Sequence, residues 1–448
     1  MLIPALKSAL QSCPYPVGRA LASVPYRWRL PIGRAYTAVA RHIDAFDLMG
    51  VDEQRHVIVR RVRHVVEGAL EIPFFRSLYA KHGITSATSI RTLEDVSHLP
   101  VVDKDLLRSV PLSERSRPHF SRYRANTGGT SGSPLDFYIT ASQVPNEWAH
   151  MHRIWTRLGY RTTDLKLVFA GRPLGDRPIV YDGLRHSYQV NAYAPTATVL
   201  AALRDLVAKR QVRYLHGYPS AIVEFASAAK EADEDLHRGL RGSLRGILLG
   251  SEYPVPHQRR EIEETFGVPT ISWYGHTERA VLAGERGEQG VYHPFQTYGY
   301  CEAVPVGDTG NLRLVASSYH NSSCPFIRYD TGDEIESVDV RGGILRSFRV
   351  AAGRIGDYVI DRAGTKISLT ALVFGRHHAL FDVARFVQIR QLNPGTMTVV
   401  ITPRSEFPSA FELAKWFDVS ALNMTVEHEV VSAPIRTTIG KVGLKLTQ

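Results

Sequence analysis

The stretch from 160 to 275 constrains what this 448-residue chain can fold into more than any other. Short apolar runs alternate there with longer segments whose apolar residues recur at helical spacing. Residues 165–170 form an apolar run closed by Gly171, 199–207 has a helical period, and Tyr214 and Leu215 lead to Gly217. A helix is expected over 221–229, then a buried strand over 247–249 closed by Gly250. A further helix over 256–266 stops at Gly267, and a strand over 270–274 ends at Gly275. Apolar strands that alternate with helices imply a largely parallel sheet covered on both faces. Ligands of such sheets collect beyond the carboxyl ends of the strands. The polar punctuation at Gly217, at Gly250-Ser251-Glu252 and from Gly275 to Glu278 falls at those ends, which is the first pointer to a site.

The flanks have a different character. Over 1–95 the pattern is helical: Ile58, Val62, Val65, Val66 and Ala69 recur at helix spacing and leave the arginines on the other side. No chemistry is visible in this segment, which reads as packing or as an interface that could serve a homodimer. After Gly353, segments 386–391 and 396–401 flank Asn393-Pro394-Gly395 as a hairpin, followed by a helix over 410–416 and a strand over 426–431. The length suits one large and one small domain. The expected organisation is an α/β domain over 1–353 with mostly parallel sheets, joined near Gly353 to a small α+β domain over 354–448.

Composition narrows the function. Hydrophobic residues at 44% and charged residues at 22% argue against extensive disorder. The net charge of +10, from 54 Lys+Arg against 44 Asp+Glu, would attract anions. Its arginines are scattered or, like Arg55, Arg60, Arg61 and Arg63, lie along one helix, where a solvated face is the simpler reading. With no nucleic-acid-binding motif, the charge is compatible with nucleotide substrates and not with a nucleic-acid partner. Cys13, Cys301 and Cys324 are too few and too dispersed for a disulfide framework or a zinc ribbon. No apolar run approaches the ~18 residues of a membrane span. Gln11, Ser12 and Pro14 interrupt the first segment before a signal sequence forms. A cytoplasmic location, with access to ATP, is the expectation.

Five local patterns carry chemistry. Thr127-Gly128-Gly129-Thr130-Ser131-Gly132-Ser133-Pro134 combines flexible backbone with hydroxyl and amide donors suited to phosphate oxygens, though a polar surface loop has the same composition. It lacks the Gly-Lys-Ser/Thr ending of a Walker loop and the spacing of a dinucleotide fingerprint. Tyr274-Gly275-His276-Thr277-Glu278 follows a strand and offers a flat aromatic face, a hydroxyl and a carboxylate able to hold Mg²⁺. In Arg328-Tyr329-Asp330-Thr331-Gly332-Asp333, the last carboxylate could cap its own turn or accept two ribose hydroxyls. Gly353-Arg354-Ile355-Gly356-Asp357 stands at the domain junction, and Gly440-Lys441 near the C-terminus.

Taken in order, these patterns resemble the adenylate-forming superfamily of acyl-CoA synthetases, adenylation domains and luciferases. Leu99-Pro100-Val101-Val102-Asp103-Lys104 before the glycine-rich loop, and Gly250-Ser251-Glu252, look like its phenylacetate–CoA ligase branch, which includes proteins linked to capsular polysaccharide synthesis. The resemblance runs from about residue 70 to the end. It implies a large adenylation domain and a mobile C-terminal lid. The activity it implies is attack of a carboxylate, aryl or acyl, on the α-phosphorus of ATP, then transfer of the acyl group to coenzyme A with release of AMP. Carried over, Thr127, Gly128, Gly129, Thr130, Ser131 and Gly132 would wrap the β- and γ-phosphates. Glu278 would bind Mg²⁺, with Thr277 beside the α-phosphate. Gly250, Ser251, Glu252, Tyr274 and Gly275 would border the adenine, Asp333 would hold the ribose with Arg354 nearby, and Lys441 would reach the reacting groups.

The sequence departs from the family pattern in places. Leu135 follows Pro134 where many members have lysine. Gly356 stands where the hinge usually carries an acid, which leaves the resting orientation of the lid open. Tyr300-Cys301-Glu302 has no clear family counterpart, and Cys301 or His293 as a metal ligand rests on residue type alone. Transfer to a sugar, an amine or a carrier-protein thiol is the alternative to coenzyme A. A non-catalytic nucleotide-binding protein is the remaining one. Tyr193, Tyr218 and Trp273 could line an acyl pocket or simply pack in the core.

Overall fold

The computed structural model describes residues 10–29, 33–126, 135–170, 174–191, 194–307, 311–352, 358–364, 366–373, 379–404, 412–417, 422–437 and 442–446. The expected junction at 353–357 lies outside them.

The first segment is helical, with helices Tyr15–Ser23, Gly33–Leu48, Val51–Ala69 and Pro73–Lys81. Val51–Ala69 carries Asp52 and Glu53 in its first turn, where the helix dipole favours acids. Ile58, Val62, Val66 and Ala69 are buried and Val65 is half-buried. One arginine departs from the expected solvated face. Arg61 turns inward, donating from Nη1 to the Thr297 carbonyl at 3.1 Å and lying 5.2 Å over the Tyr319 ring. A long side chain can carry its charge to a polar partner this way while its stem packs.

Strands β1 (Arg122–Asn126) and β2 (Asp136–Thr140) pair antiparallel, with Asn126 opposite Asp136. A twelve-stranded sheet follows. Its first half contains β3 (Lys166–Phe169), β4 (Ile179–Asp182), β5 (Ser187–Val190), β6 (Tyr214–Gly217), β7 (Gly246–Leu249) and β8 (Thr270–Gly275). Its second half contains β9 (Leu282–Arg286), β10 (Glu288–Pro294), β11 (Gly299–Pro305), β12 (Leu312–Ser318), β13 (Tyr329–Arg341) and β14 (Ile344–Ala352). The spatial order is β11-β12-β13-β14-β10-β9-β8-β7-β6-β3-β5-β4.

Strands β5, β3, β6, β7 and β8 are parallel, as the alternation requires. Helices Thr196–Lys209, Pro219–Ala232, Glu234–Ser243 and Pro256–Phe266 pack on this part. Their shared core includes Leu203, Leu215, Ile222, Ile247, Ile262 and Phe266. Gly267, at φ 69°, closes the last of these helices in the left-handed conformation, where a glycine carries no Cβ penalty. Beyond β8 the sheet turns antiparallel. Its turn between β13 and β14 is Gly342-Gly343, both at positive φ, which suits the twist of a two-residue hairpin. This half packs on the N-terminal helices through Ile58, Val62, Phe75, Tyr79, Phe326 and Phe348.

The C-terminal part has its own sheets. Strands β15 (Tyr358–Ile360) and β16 (Lys366–Ser368) pair with each other. Strands β17 (Ala384–Arg390), β18 (Thr396–Pro403), β19 (Thr425–Val430) and β20 (Lys445–Leu446) are ordered β19-β18-β17-β20. The β17–β18 pair is antiparallel, the hairpin expected around Asn393-Pro394-Gly395, with Gly395 at φ 80°. Val359, Leu369, Val399 and Phe417 belong to a separate apolar cluster. Arg404 Nη1 meets Glu261 Oε2 at 2.5 Å, and Arg436 pairs with Glu224 on helix Pro219–Ala232.

Candidate active site

The carboxyl ends of β7 and β8 lie side by side, with Leu249 opposite Ser272. At Gly250 the backbone runs flat against Trp273: a Cβ there would stand 2.0 Å from the indole Cζ2, so no other residue fits without moving the ring. Ser251 follows with a left-handed φ of 68°. Glu252 comes next, and its carboxylate binds two backbone amides. Oε2 accepts from Ser220 N at 3.2 Å, in the first turn of helix Pro219–Ala232, where the dipole favours an anion. Oε1 accepts from Val442 N at 3.0 Å. The tail is thereby tied to the end of β7 one residue beyond Lys441.

The end of β8 meets the start of β13. The Tyr274 hydroxyl donates to Asp333 Oδ2, and the Tyr329 hydroxyl donates to Glu278 Oε1 at 2.8 Å. Glu278 Oε2 is 3.0 Å from His276 Nδ1. Phe348 stands edge-on to the Tyr274 ring, with centroids 5.5 Å apart, and fixes its plane. The capping role open to an aspartate in this turn belongs to Asp330: its Oδ1 accepts from Gly332 N at 2.9 Å, and its Oδ2 pairs with Arg313 at 2.7 Å. Asp333 instead faces Tyr274. Arg328 is a structural anchor. It is buried, its Nε is 3.2 Å from Glu302, and it donates to the carbonyls of Ser97 and Leu99. Val102 and Asp330 add two backbone hydrogen bonds, which bring the Leu99-to-Lys104 segment alongside the site.

Glu278 is ionised in this setting. Burial opposes the charge, but the charge and hydrogen bond of His276, with the Tyr329 hydroxyl, outweigh it and hold the carboxyl down to about 2. A buried carboxylate of this kind retains acceptor lone pairs beyond its two hydrogen bonds, and one such group with substrate phosphates suffices for Mg²⁺. Thr277 and Gly275 beside it are exposed. His276 Nε2 is buried with no hydrogen-bond partner. The oxygen donors here, one carboxylate with substrate phosphates, are of the kind a hard cation takes.

Of the residues singled out in the sequence, Tyr274, Gly275, Thr277, Glu278 and Asp333 come together, with Gly250, Ser251 and Glu252 on the neighbouring strand end. Thr127, Gly128, Gly129, Thr130, Ser131, Gly132, Arg354 and Lys441 lie outside the described residues, as does Tyr193. Trp273 packs between Trp155 and His216, with ring centroids 5.9 and 5.3 Å away, and Tyr218 sits against the core of the parallel half. Cys301 is fully buried, its thiol pushed up by burial, and His293 lies on β10. Among the described residues no group of three or more His, Cys, Asp or Glu could hold a metal. Sequence reasoning missed Tyr329 and His276 as partners of Glu278. Both stand within the quoted motifs, but nothing local says which carboxylate they reach.

No protein-family profile matches the sequence. The chain is 23% identical over 346 residues to phenylacetate–coenzyme A ligase of Escherichia coli (strain K12), covering 71% of this chain and 75% of that one. It is 21% identical over 252 residues to protein CapK of Staphylococcus aureus, covering 55% of each. Among solved structures it superposes on 2-hydroxyisobutyryl-CoA ligase in the postadenylation state with a TM-score of 0.66 at 21% identity, covering 89% of this chain and 90% of that one. The chain has the fold of that ligase, and its sequence is similar to phenylacetate–CoA ligase. Against the same ligase in the thioesterification state the TM-score is 0.53. Among the described residues no helix is long and apolar enough to cross a membrane.

Proposed function

We propose that the protein activates a carboxylic acid with ATP and passes the acyl group to coenzyme A. The observation that carries this reading is the pair of hydrogen bonds Tyr274–Asp333 and Tyr329–Glu278. They join residues 59 and 51 positions apart at the carboxyl end of the parallel strands. In the first step a substrate carboxylate oxygen attacks the α-phosphorus and the bond to pyrophosphate breaks. In the second, the thiol sulfur attacks the acyl carbon, the bond to AMP breaks, and the thiol proton leaves to solvent. Such displacements need positioning and charge neutralisation more than covalent help. Asp333, oriented by Tyr274, would accept the ribose hydroxyls. Glu278 would hold Mg²⁺, which would neutralise developing phosphate charge. Thr127 to Gly132 would wrap the outer phosphates, and Lys441 would bring a mobile point charge to the reacting groups.

The division into 1–353 and 354–448, with rotation near Gly353–Asp357, belongs to the same proposal. It is supported by the separate C-terminal cluster around Val359 and by the better superposition on a postadenylation state. The bond from Glu252 to Val442 would hold Lys441 near the cleft in that arrangement. A cytoplasmic setting supplies ATP and coenzyme A, and the N-terminal helices could form a homodimer surface.

The test is pyrophosphate release from ATP and Mg²⁺ with a panel of aryl and acyl acids, followed by AMP release with and without coenzyme A. Release should depend on one class of acid, and AMP formation should accelerate with the thiol. Lys441→Ala should slow pyrophosphate release on the order of 10²–10³-fold, as loss of one transition-state donor does. Unchanged release by that variant would refute the role of Lys441, and absence of release with every acid would refute the activity.

A further inference from the structure

A second concave site lies at the opposite end of the parallel strands. Leu165, His186, Arg213 and Arg245 each stand one residue before a strand, at the starts of β3, β5, β6 and β7. Together with Arg19, Arg161, Lys209 and Arg210 they line a cleft of about 370 Å³, within the range of small-molecule sites. Six of its lining side chains are Arg or Lys, and its one carboxylate, Asp164, already accepts the Arg161 backbone N–H at 2.8 Å. Among the described residues none of the six forms an ion pair. Arginines on the helices packed nearby do: Arg204 meets Asp233 at 2.7 Å and Arg238 meets Glu234 at 2.6 Å.

Lys209 and Arg210 close helix Thr196–Lys209, where the dipole favours a positive charge. That benefit does not require six cations to converge on one concavity, where they repel one another. An anion removes the repulsion and gains several charge-assisted hydrogen bonds. A single carboxylate would neutralise one group of six, whereas a di- or triphosphate group carries enough charge and enough oxygens for several forks. A nucleic-acid strand is disfavoured because the Tyr15 ring, the aromatic face in the cleft, is covered by Arg210 at 4.2 Å.

We propose that this cleft binds the di- or triphosphate group of a small molecule, free or on a nucleotide, at a site separate from the candidate active site. The inference rests on none of the adenylation chemistry. Its test is calorimetric titration of the full chain with inorganic tripolyphosphate at low ionic strength, using wild type, R19Q/R161Q/R245Q, R19K/R161K/R245K and Asp333→Asn. The three arginines are exposed and form no described side-chain hydrogen bond, so both triple variants should keep the wild-type melting temperature. Tripolyphosphate should bind wild type, at least tenfold more weakly the glutamine variant, and within a few-fold of wild type both the lysine variant and Asp333→Asn. A parallel titration with ATP separates the sources: one of two binding events lost in the glutamine variant points to a nucleotide, and none lost points to an inorganic anion. No binding by wild type would overturn the proposal. So would full binding by the glutamine variant, or binding abolished by Asp333→Asn.

Discussion

The phenol of Tyr274 and the carboxylate of Asp333 are each other's orienting partner, and Asp333 is buried apart from the edge it presents. Tyr274→Phe removes the donor and leaves a buried acceptor short of a bond, which costs about 1–3 kcal/mol. The variant should melt lower and show an ATP KM raised roughly tenfold if that loss falls on the nucleotide complex. Glu278→Gln keeps the shape but not the charge. Its pyrophosphate release should drop on the order of 10²–10³-fold, with an unchanged circular dichroism spectrum. The depressed pKa of Glu278 means that loss of activity between pH 7 and 5 would not come from its protonation. Stability should nonetheless fall in that range. Burial holds His150 and His152 near 3 and His216 near 4, below the ordinary 6.5. Their contribution is complete above about pH 6.5 and is lost as the pH falls towards 3–4, because the unfolded chain takes up protons first. Each adds a slope of up to about 1.4 kcal/mol per pH unit. Melting curves from pH 7 to 5 should show the decline, and His150→Gln should flatten it.

At the scale of elements, the site depends on how two strands end. β7 stops where Gly250 lies on Trp273, and β8 runs on through Tyr274 to a turn in which Gly275 and Thr277 are exposed and Glu278 is buried. Gly250→Ala drives a methyl group into the indole, and overpacking of this sort costs about 1–3 kcal/mol. The melting temperature should fall and the tryptophan fluorescence should shift; a variant as stable as wild type would mean that the strand end is freer than its geometry. The same scale shows what periodicity reads well. Helix Pro256–Phe266 and strand Thr270–Gly275 fall where the alternation puts them, because burial on one face and a closing glycine are local properties. The antiparallel strands β9 to β14 carry weaker signals. Their burial is uneven and their register shifts at bulges, so neither a strict period of two nor a continuous apolar run stands out. Gly342-Gly343 was the available clue.

For the whole molecule, the C-terminal part is held against helices Pro219–Ala232 and Pro256–Phe266 by charges: Arg436 on Glu224 and Arg404 on Glu261. If this docking places Lys441, then Arg436→Glu should slow pyrophosphate release roughly tenfold, and adding Glu224→Arg should restore much of it. A double-mutant cycle on initial rates measures that coupling. By itself the sequence determined the parallel core from 160 to 275, the helical first segment and the C-terminal hairpin. Those features follow from periodicity, glycine placement and side-chain chemistry, each contained within a few neighbouring positions. Only the tertiary structure decided that Tyr329 and His276 hold Glu278, that Asp330 caps the turn, and that six cations share one cleft. Each of these is a contact whose distance and direction come from the order of strands in the sheet, and no local pattern encodes that order.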